Sequence, residues 1–361
     1  MTVPQPLRGR VVVDLSQYIA GSVCGQVLAD FGATVVKVEP PDGDPSRRLA
    51  RTRHGSVYFR YYNTGKSSVR LSLAESAHRD ELEQLLAAAD AVVMNFSRAT
   101  LLKHGLDWAS LHTRHPRLVV TMVTSYGADD PRTAFDTIAQ AASGFGHVNA
   151  DADGTPRVSA GYPTDVFSGL HAGLSTAMAL LDEAVVDGVL IDAAMVEVAM
   201  TALVGPMTLW AAEEGTSATG QGNRDSATCP SNIFACADGH AYVYAGLDRH
   251  WARLAPVVGG PEAPLAERLA DPVRFEAPVA RWAQRLTVAE VCSTLADVGI
   301  PAGPVVDPVS ALATLHSTRP DAVVVPDDHG AGVPQYPVTF SGSRIPRAAA
   351  PADHQAARSP R

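Results

Sequence analysis

Asp165 is the residue whose type and position offer the clearest chemistry in this sequence. It follows Pro163 and Thr164 and precedes an apolar segment, up to Leu181, with the three- and four-residue spacing of an α-helix. A carboxylate at a helix start accepts hydrogen bonds from the free backbone N–H groups of the first turn. It is also ionised at neutral pH and can act as a nucleophile. Position alone favours a helix cap, so the nucleophile needs support from the rest of the chain.

The helix after Asp165 is predicted to have two distinct lines of residues. Gly169, Gly173 and Ala177 fall four residues apart, so another backbone can approach closely along them. Large apolar residues recur on a second face, which we expect to be buried: Phe167, Leu170, Leu174, Met178 and Leu181.

Alternating strands and helices precede this segment. A strand over 10–15, a helix over 21–31 and a strand over 33–38 form a βαβ unit, which implies a parallel sheet. Ligands of such sheets bind beyond the carboxyl ends of the strands, here near Gln17 to Gly21. A second unit is predicted from strands over 69–73 and 91–95 and a helix over 75–89.

The length of 361 residues suggests two domains. We predict an α/β protein with a Rossmann-like, parallel-sheet large domain over residues 1–215, completed by 316–361. A smaller α+β domain is predicted over 216–315, where a hairpin turns at Asp238-Gly239. Residues 40–62 are predicted to form a loop.

Composition excludes several classes of partner. The formal charge of −9 makes nucleic acid an unsuitable partner.

The four cysteines form no C-x-x-C pair, and the N-terminus shows no charged and apolar leader, so we expect a cytoplasmic protein. The longest apolar run, 189–212, contains Asp192 and Glu197, so it is interpreted as a buried core helix rather than a membrane span.

Cofactor motifs are missing from the sequence. Only Gly21 and Gly25 stand between the first strand and its helix, so the G-x-G-x-x-G fingerprint of NAD or FAD binding is absent. His112 and His115 have no third ligand near them in sequence, so no metal site is expected.

Five arginines over residues 47–60 could bind an anion or could form a solvated loop, and the sequence leaves both open.

Several motifs, in the same order, resemble those of the family III CoA transferases, the CaiB/BaiF type that includes formyl-CoA transferases and α-methylacyl-CoA racemases. The resemblance runs from about Leu7 to Pro308. Its motifs are the strand, loop and helix over 11–41, Asn63 to Lys66, Asn95-Phe96, Asp165 with Gly169, Ile191 to Glu197, and Ala237 to Gly239.

The resemblance implies that Asp165 attacks the thioester of an acyl-CoA and that a carboxylic acid accepts the CoA. Backbone N–H groups at the helix start, or in the loop with Gly220 and Gly222, are candidates to hold the oxyanion. It also implies an interlocked homodimer, in which linkers near 213–230 and 316–340 thread the partner. CoA is expected along Ile19, Ala20, Leu71, Ser72, Leu73, Asn95, Phe96, Ser97, Lys103, Thr133 and Asp136.

Three departures from the family pattern bear on the acceptor acid and on the type of reaction. Pro40 and Ile19 stand where oxalate-specific enzymes have arginine and glutamine, which argues against oxalate as acceptor. Phe135 precedes Asp136 where the racemases have a histidine, although Asp248 could in principle serve as a second base. A racemase or epimerase, and an inactive CoA-binding paralogue with an atypical C-terminal tail, therefore remain as alternatives.

Overall fold

The computed structural model describes residues 3–53, 55–207, 220, 222–225, 227–322, 325–326, 332–333 and 335–352. Two compact units divide the chain. The first contains 1–145, 159–203 and 315–361, and the second contains 146–158 and 204–314. The second unit thus takes in residues 146–158, which the sequence analysis assigned to the large domain.

The first unit is built on a six-stranded sheet, so the predicted α/β parallel-sheet fold is confirmed. Its strand order is β5-β2-β1-β6-β7-β8, and every neighbouring pair is parallel. The strands are β1 Val11–Asp14, β2 Thr34–Glu39, β5 Ser67–Arg70, β6 Ala91–Met94, β7 Val119–Thr124 and β8 Val189–Ala194, and the short pair β3 Arg51–Thr52 and β4 Gly55–Ser56 lies outside the sheet.

Helices connect these strands. They are α1 Ala20–Asp30, α2 Val57–Tyr62, α3 Ser76–Ala87, α4 Arg98–His104, α5 Trp108–Arg114, α6 Asp136–Ala142, α7 Phe145–Val148, α8 Pro163–Leu181 and α9 Met195–Thr201, with a 3₁₀ turn at Pro45–Arg48. No described helix is both long enough and apolar enough to span a bilayer.

The second unit carries an antiparallel three-stranded sheet in the order β11-β10-β9. The predicted hairpin is confirmed, because Cys236 donates its N–H to the carbonyl of Gly239 between β9 and β10. The elements of this part of the chain are β9 Ser231–Ala235, β10 His240–Tyr244, α10 Asp248–Val258, α11 Leu265–Ala270, α12 Pro272–Ala283, α13 Val288–Asp297, β11 Ala302–Pro304 and α14 Pro308–Thr318, and the division between the units falls within α14. After it come the 3₁₀ turn Pro320–Ala322 and the short strands β12 Val325–Pro326, β13 Gly332–Val333, β14 Thr339–Phe340 and β15 Ser343–Arg344.

Two predicted elements were wrong, and a third had the wrong bounds. The predicted core helix over 189–212 begins as strand β8, paired with β7, and becomes helical only at Met195, while residues 208–212 lie outside the described residues. A continuous apolar run does not distinguish a buried strand from a buried helix, so periodicity could not decide. The strand predicted over 69–73 ends at Arg70, and the loop predicted over 40–62 contains helix α2.

The buried face of α8 was also predicted wrongly. Its large apolar side chains, including Phe167 and Leu174, are 41–59% exposed. In the line of small residues Gly169 and Gly173 are buried and Ala177 is half-buried, and an ideal Cβ on Gly169 would lie 2.4 Å from the carbonyl oxygen of Ala20 and 2.5 Å from Cβ of Val23. The predicted close backbone approach along this line is therefore confirmed, and the neighbouring backbone is that of α1.

The α8 packing predicts the effect of one methyl group. Gly169→Ala should destabilise the protein by about 1–3 kcal/mol, because overpacking against the α1 backbone exceeds the gain in helix propensity. Gly173→Ala is the matched control, since its nearest contact would be Cβ of Val27 at 3.2 Å, an overlap much smaller than the one at Gly169. Free energies of unfolding from urea titrations measure both changes. Equal values for the two variants would contradict this account.

Candidate active site

A cavity of about 300 Å³ opens at the carboxyl ends of β1, β6 and β7, within the first unit. Three loops and the start of α8 form its walls, and a ligand site near Gln17 to Gly21 stays a prediction. The lining residues include Gln17, Tyr18, Ile19, Ala20, Asn95, Phe96, Ser97, Arg98, Thr124, Ser125, Arg132, Thr133, Phe135 and Asp165.

Asp165 is the third residue of α8 rather than the helix cap, because the helix already begins at Pro163. Its backbone N–H donates to Oδ1 of Asp136 at 3.0 Å, so another acid satisfies this donor. Among the described residues, none donates a hydrogen bond to the Asp165 carboxylate. The half-buried carboxylate therefore lines the cavity without the usual partners of a structural acid.

Asp136 is held firmly at the start of α6. It is 2% exposed, and Nε2 of Gln140 donates to its Oδ2. Oε1 of Gln140 in turn accepts the N–H of Ser159 at 2.8 Å. This chain of bonds ties the segment that precedes α8 to α6 and thereby fixes where α8 begins.

The surroundings of Asp165 raise its pKa to about 7, first through burial and second through the negative charge of Asp136. Such a carboxylate is substantially ionised at neutral pH and is more basic than an exposed aspartate. A pKa shifted by burial and by a specific neighbour in a cleft is typical of a functional group.

The loop after β1 is fixed by Asn95, which follows β6. Its Oδ1 accepts the N–H of Gln17 at 2.8 Å, and its Nδ2 donates to the carbonyl of Gln17, also at 2.8 Å. The next residue, Tyr18, has φ +61° and packs edge-on against Phe135, with 5.6 Å between ring centroids. The Asn95 amide thus positions the loop, while the residue still lines the cavity.

Buried charges lie beneath this loop, and sequence reasoning missed them. Nζ of Lys66 donates to Oδ2 of Asp14 at 2.7 Å and to the carbonyl of Ser22 at 2.8 Å. Nζ of Lys37 donates to the carbonyl of Ser16 at 2.8 Å. One signal was available, because Asp14 and Lys37 each interrupt an apolar strand.

The pKa values show that these groups are mutually compensated. Burial by itself would raise the pKa of Asp14, but the charges of Lys37 and Lys66 outweigh burial and lower it. Burial lowers the pKa of Lys66 to about 8 against the attraction of Asp14. The network thus fixes the residues that precede the cavity-lining part of the loop.

The predicted CoA-binding residues divide into two groups, apart from Asp136, which accepts the N–H of Asp165 and does not line this cavity. Ile19, Ala20, Asn95, Phe96, Ser97 and Thr133 line the cavity with Asp165. Leu71 lies in the hydrophobic core, Ser72 donates its N–H to Nδ1 of His78 at 3.1 Å, and Lys103 is exposed in the last turn of α4. Leu73, like these three, does not line the cavity, whereas Arg98 does and was missed by sequence reasoning.

Gly220 and Gly222 belong to the second unit. An ideal Cβ on Gly220 would lie 2.2 Å from Cβ of Ala150, so only glycine fits there. Gly222 has φ +66° and donates its N–H to the carbonyl of Ala150 at 3.0 Å. That N–H is thus already paired, and an oxyanion role for this loop stays a prediction.

The basic segment over residues 47–60 includes at least one structural arginine. Arg47 is buried, with Nε and Nη2 donating to Glu39 at 2.6 and 2.7 Å, and its guanidinium lies 3.5 Å from the ring centroid of Phe59. Among the described residues, no group of three or more His, Cys, Asp or Glu side chains could hold a metal ion.

The protein has an α/β fold, and its cleft holds a carboxylate at the start of a helix beside a parallel sheet. The sequence profile of CoA-transferase family III matches residues 7–355, and the chain belongs to this family. It is 30% identical over 358 residues to succinyl-CoA:mesaconate CoA-transferase of Haloarcula marismortui, covering 92% of this chain and 88% of that protein.

Other relatives agree. The chain is 30% identical over 302 residues to succinate–glutarate CoA-transferase of Agrobacterium fabrum, covering 80% of this chain and 74% of that one. A crystal structure of a CaiB/BaiF family protein from Brucella suis superposes with a TM-score of 0.84 at 25% identity over 97% of both chains. The protein is thus a CoA-transferase, and CoA thioesters are its substrates.

The raised pKa of Asp165 predicts how stability depends on pH. Because this pKa is about 7 in the folded protein and lower in the unfolded chain, folding stability is lost as pH rises from about 4 to about 7. Asp165→Asn does not titrate, so its stability relative to wild type should grow across that range and then stay level. Thermal unfolding at pH 4 to 9 measures this.

Asp182→Asn is the control for this measurement, since Asp182 is exposed at the other end of α8. Its stability relative to wild type should not follow the same course. A stability advantage of Asp165→Asn that stays constant between pH 4 and pH 8 would show that Asp165 titrates like a surface aspartate.

The buried network predicts a non-additive pair of substitutions. Lys66→Met leaves Asp14 with less compensation and should cost about 3–5 kcal/mol. The double variant Asp14→Asn with Lys66→Met should cost clearly less than the sum of the two single changes. Chemical denaturation followed by circular dichroism tests this, and soluble expression of the double variant alone would also support it. Additive losses would refute it.

Proposed function

We propose that Asp165 is the nucleophile of an acyl-CoA:carboxylate CoA-transfer reaction that passes through anhydride and aspartyl-CoA thioester intermediates. The observation that carries the proposal is the Asp165 carboxylate itself. It lines the cleft beyond the parallel sheet, it accepts no hydrogen bond from a described residue, and its pKa is raised to about 7.

The reaction is balanced without an external base. An oxygen of Asp165 attacks the thioester carbon and the C–S bond breaks. CoA leaves as thiolate, and a mixed anhydride between Asp165 and the acyl group remains. The thiolate attacks the aspartyl carbonyl and releases the first acid as carboxylate, which leaves an aspartyl-CoA thioester. The acceptor carboxylate attacks the aspartyl carbonyl of this thioester, the C–S bond breaks, and a second anhydride and free CoA thiolate result. The returning thiolate then attacks the acyl carbon, which completes the new acyl-CoA and regenerates Asp165.

The cavity of about 300 Å³ is smaller than a whole CoA molecule, and we infer that it takes the pantetheine arm. Ile19, Ala20 and Thr133 would line that arm, while Arg98 at the start of α4 would meet a phosphate. Ser72, Leu73 and Lys103 lie outside the cavity, so their proposed contacts are with the adenosine end of CoA. Leu71 is 3% exposed in the core, and its side chain takes no part in this proposal.

A homodimer is part of the proposal. One face of α8 exposes large apolar side chains, and a single chain would gain by covering them. A second copy of this chain is the proposed cover, in line with the interlocked dimers that the family resemblance implies. The succinyl-CoA:mesaconate and succinate–glutarate relatives are named for dicarboxylic acids; the general reaction carries over to this proposal, and the particular acids do not.

Racemisation has less support from the residues described. It needs one group to take a proton from the α-carbon and one to return it. Phe135 lies in the cleft and cannot carry a proton, and Asp248 pairs with Nη1 of Arg268 at 2.8 Å in the second unit.

Covalent trapping tests the proposal. Wild-type protein incubated with acyl-CoA donors, quenched with hydroxylamine or borohydride and digested should carry the modification on Asp165. Asp165→Asn should lose the adduct and lower turnover by a factor of about 10³ or more. Asp182→Asn, at the far end of α8, should retain both.

The alternatives give different results in the same experiment. Exchange of the α-proton with solvent deuterium in the absence of any adduct would indicate a racemase. Neither exchange nor an adduct, with CoA still bound, would indicate a binding protein that has lost turnover. Either result would overturn the nucleophilic role of Asp165.

A further inference from the structure

A second cavity, of about 210 Å³, adjoins the first within the same unit. Asp165, Tyr18, Ile19 and Phe135 line both cavities, so the reactive carboxylate faces each of them. The first cavity follows the strand ends and suits a long flexible arm. The second cavity is not used by any step of the proposed reaction described above.

The walls of the second cavity are largely aromatic and aliphatic. Leu49, Tyr58 and Tyr162 line it together with Ile19 and Phe135. Tyr58 and Tyr162 pack edge-on with ring centroids 5.5 Å apart, and their hydroxyl oxygens lie 3.0 Å apart. One hydroxyl donates to the other, which leaves one hydroxyl hydrogen for a neutral oxygen of a ligand.

The charges in this cavity all have one sign. Asp136 and Asp165 are its acidic lining residues, and no Lys, Arg or His is among the described residues that line it. Ser46 lines it too, but the next side chain, Arg47, is committed to Glu39 and Phe59. A ligand carboxylate placed here would meet two acids and no compensating cation.

We propose that the second cavity receives the acyl group and selects acids with a single carboxylate and an uncharged, branched or aromatic body. The inference rests on the proposed function, since the single carboxylate is the one that reacts at Asp165. A buried apolar cavity of about 150 Å³ holds a benzene molecule, so the volume here admits a body of that size or slightly larger.

Two donors of nearly equal shape test this selection. In 4-methylpentanoyl-CoA an isopropyl group stands where succinyl-CoA has its free carboxylate. Each donor is assayed by exchange with its own isotope-labelled acid, which removes the need to know the natural acceptor. We expect kcat/KM to favour 4-methylpentanoyl-CoA by about tenfold or more, the range that pocket contacts of this size provide.

Leu49→Arg gives an independent arm of the experiment. Leu49 is 43% exposed, so an arginine can be accommodated at the cavity rim, where it supplies the missing cation. The kcat/KM ratio should shift towards succinyl-CoA by about tenfold. Leu102→Arg is the matched control, since Leu102 is 51% exposed on α4 and lines neither cavity; its ratio should equal that of wild type.

The outcomes separate the inference from the proposed function. Wild-type exchange of succinyl-CoA at a kcat/KM equal to or above that of 4-methylpentanoyl-CoA, with trapping on Asp165, overturns the inference and leaves the nucleophile in place. An unchanged ratio in Leu49→Arg also argues against it. If hydroxylamine traps no adduct on Asp165 with any donor, the proposed function fails and the inference fails with it.

Discussion

The close contact between α8 and α1 is the constraint on which the site depends. Gly169 allows the carbonyl of Ala20, the first residue of α1, to approach to a distance that no side chain would permit. Asp165 lies one turn earlier on α8, so this contact places its carboxylate beside the loop that leads from β1 into α1. A helix packed at an ordinary distance would hold the carboxylate farther from that loop.

Two carboxylates near this contact, Asp14 and Asp165, have opposite electrostatic surroundings. Beneath the loop, Asp14 has lysine partners at hydrogen-bonding or ion-pair distance, and its pKa is lowered. Above the loop, Asp165 has another acid as its neighbour, and its pKa is raised. Paired charges keep the loop in one conformation, whereas the Asp165 carboxylate accepts no hydrogen bond from a described residue. The proposed reaction would need both arrangements, because a nucleophile acts on a substrate that is held in place.

In the proposed reaction, the two cavities that share Asp165 would let one carboxylate serve both halves of the transfer. The cleft along the strand ends would hold the CoA arm, while acids would enter and leave the smaller, mostly apolar cavity. Tyr18 and Phe135, packed edge-on, line both cavities. Tyr18 adopts φ +61°, which is an uncommon conformation for a residue other than glycine, and Asn95 holds the preceding residue so that this conformation persists.

The sequence by itself determined the parallel α/β fold, the helix that carries Asp165 and the close approach at its glycines. Strand and helix periods, and the absence of a side chain on glycine, are local properties that a sequence displays directly. Only the tertiary structure decided which face of α8 is buried, because large apolar residues and small ones both fit a core and the neighbouring helix selects between them. The pairing of Asp14, Lys37 and Lys66, the amide clamp of Asn95 on Gln17 and the cavity at Leu49 and Tyr162 also required the structure. Their partners are far apart in the chain, and distance in space, not spacing in sequence, sets how strongly charges and hydrogen-bonding groups interact.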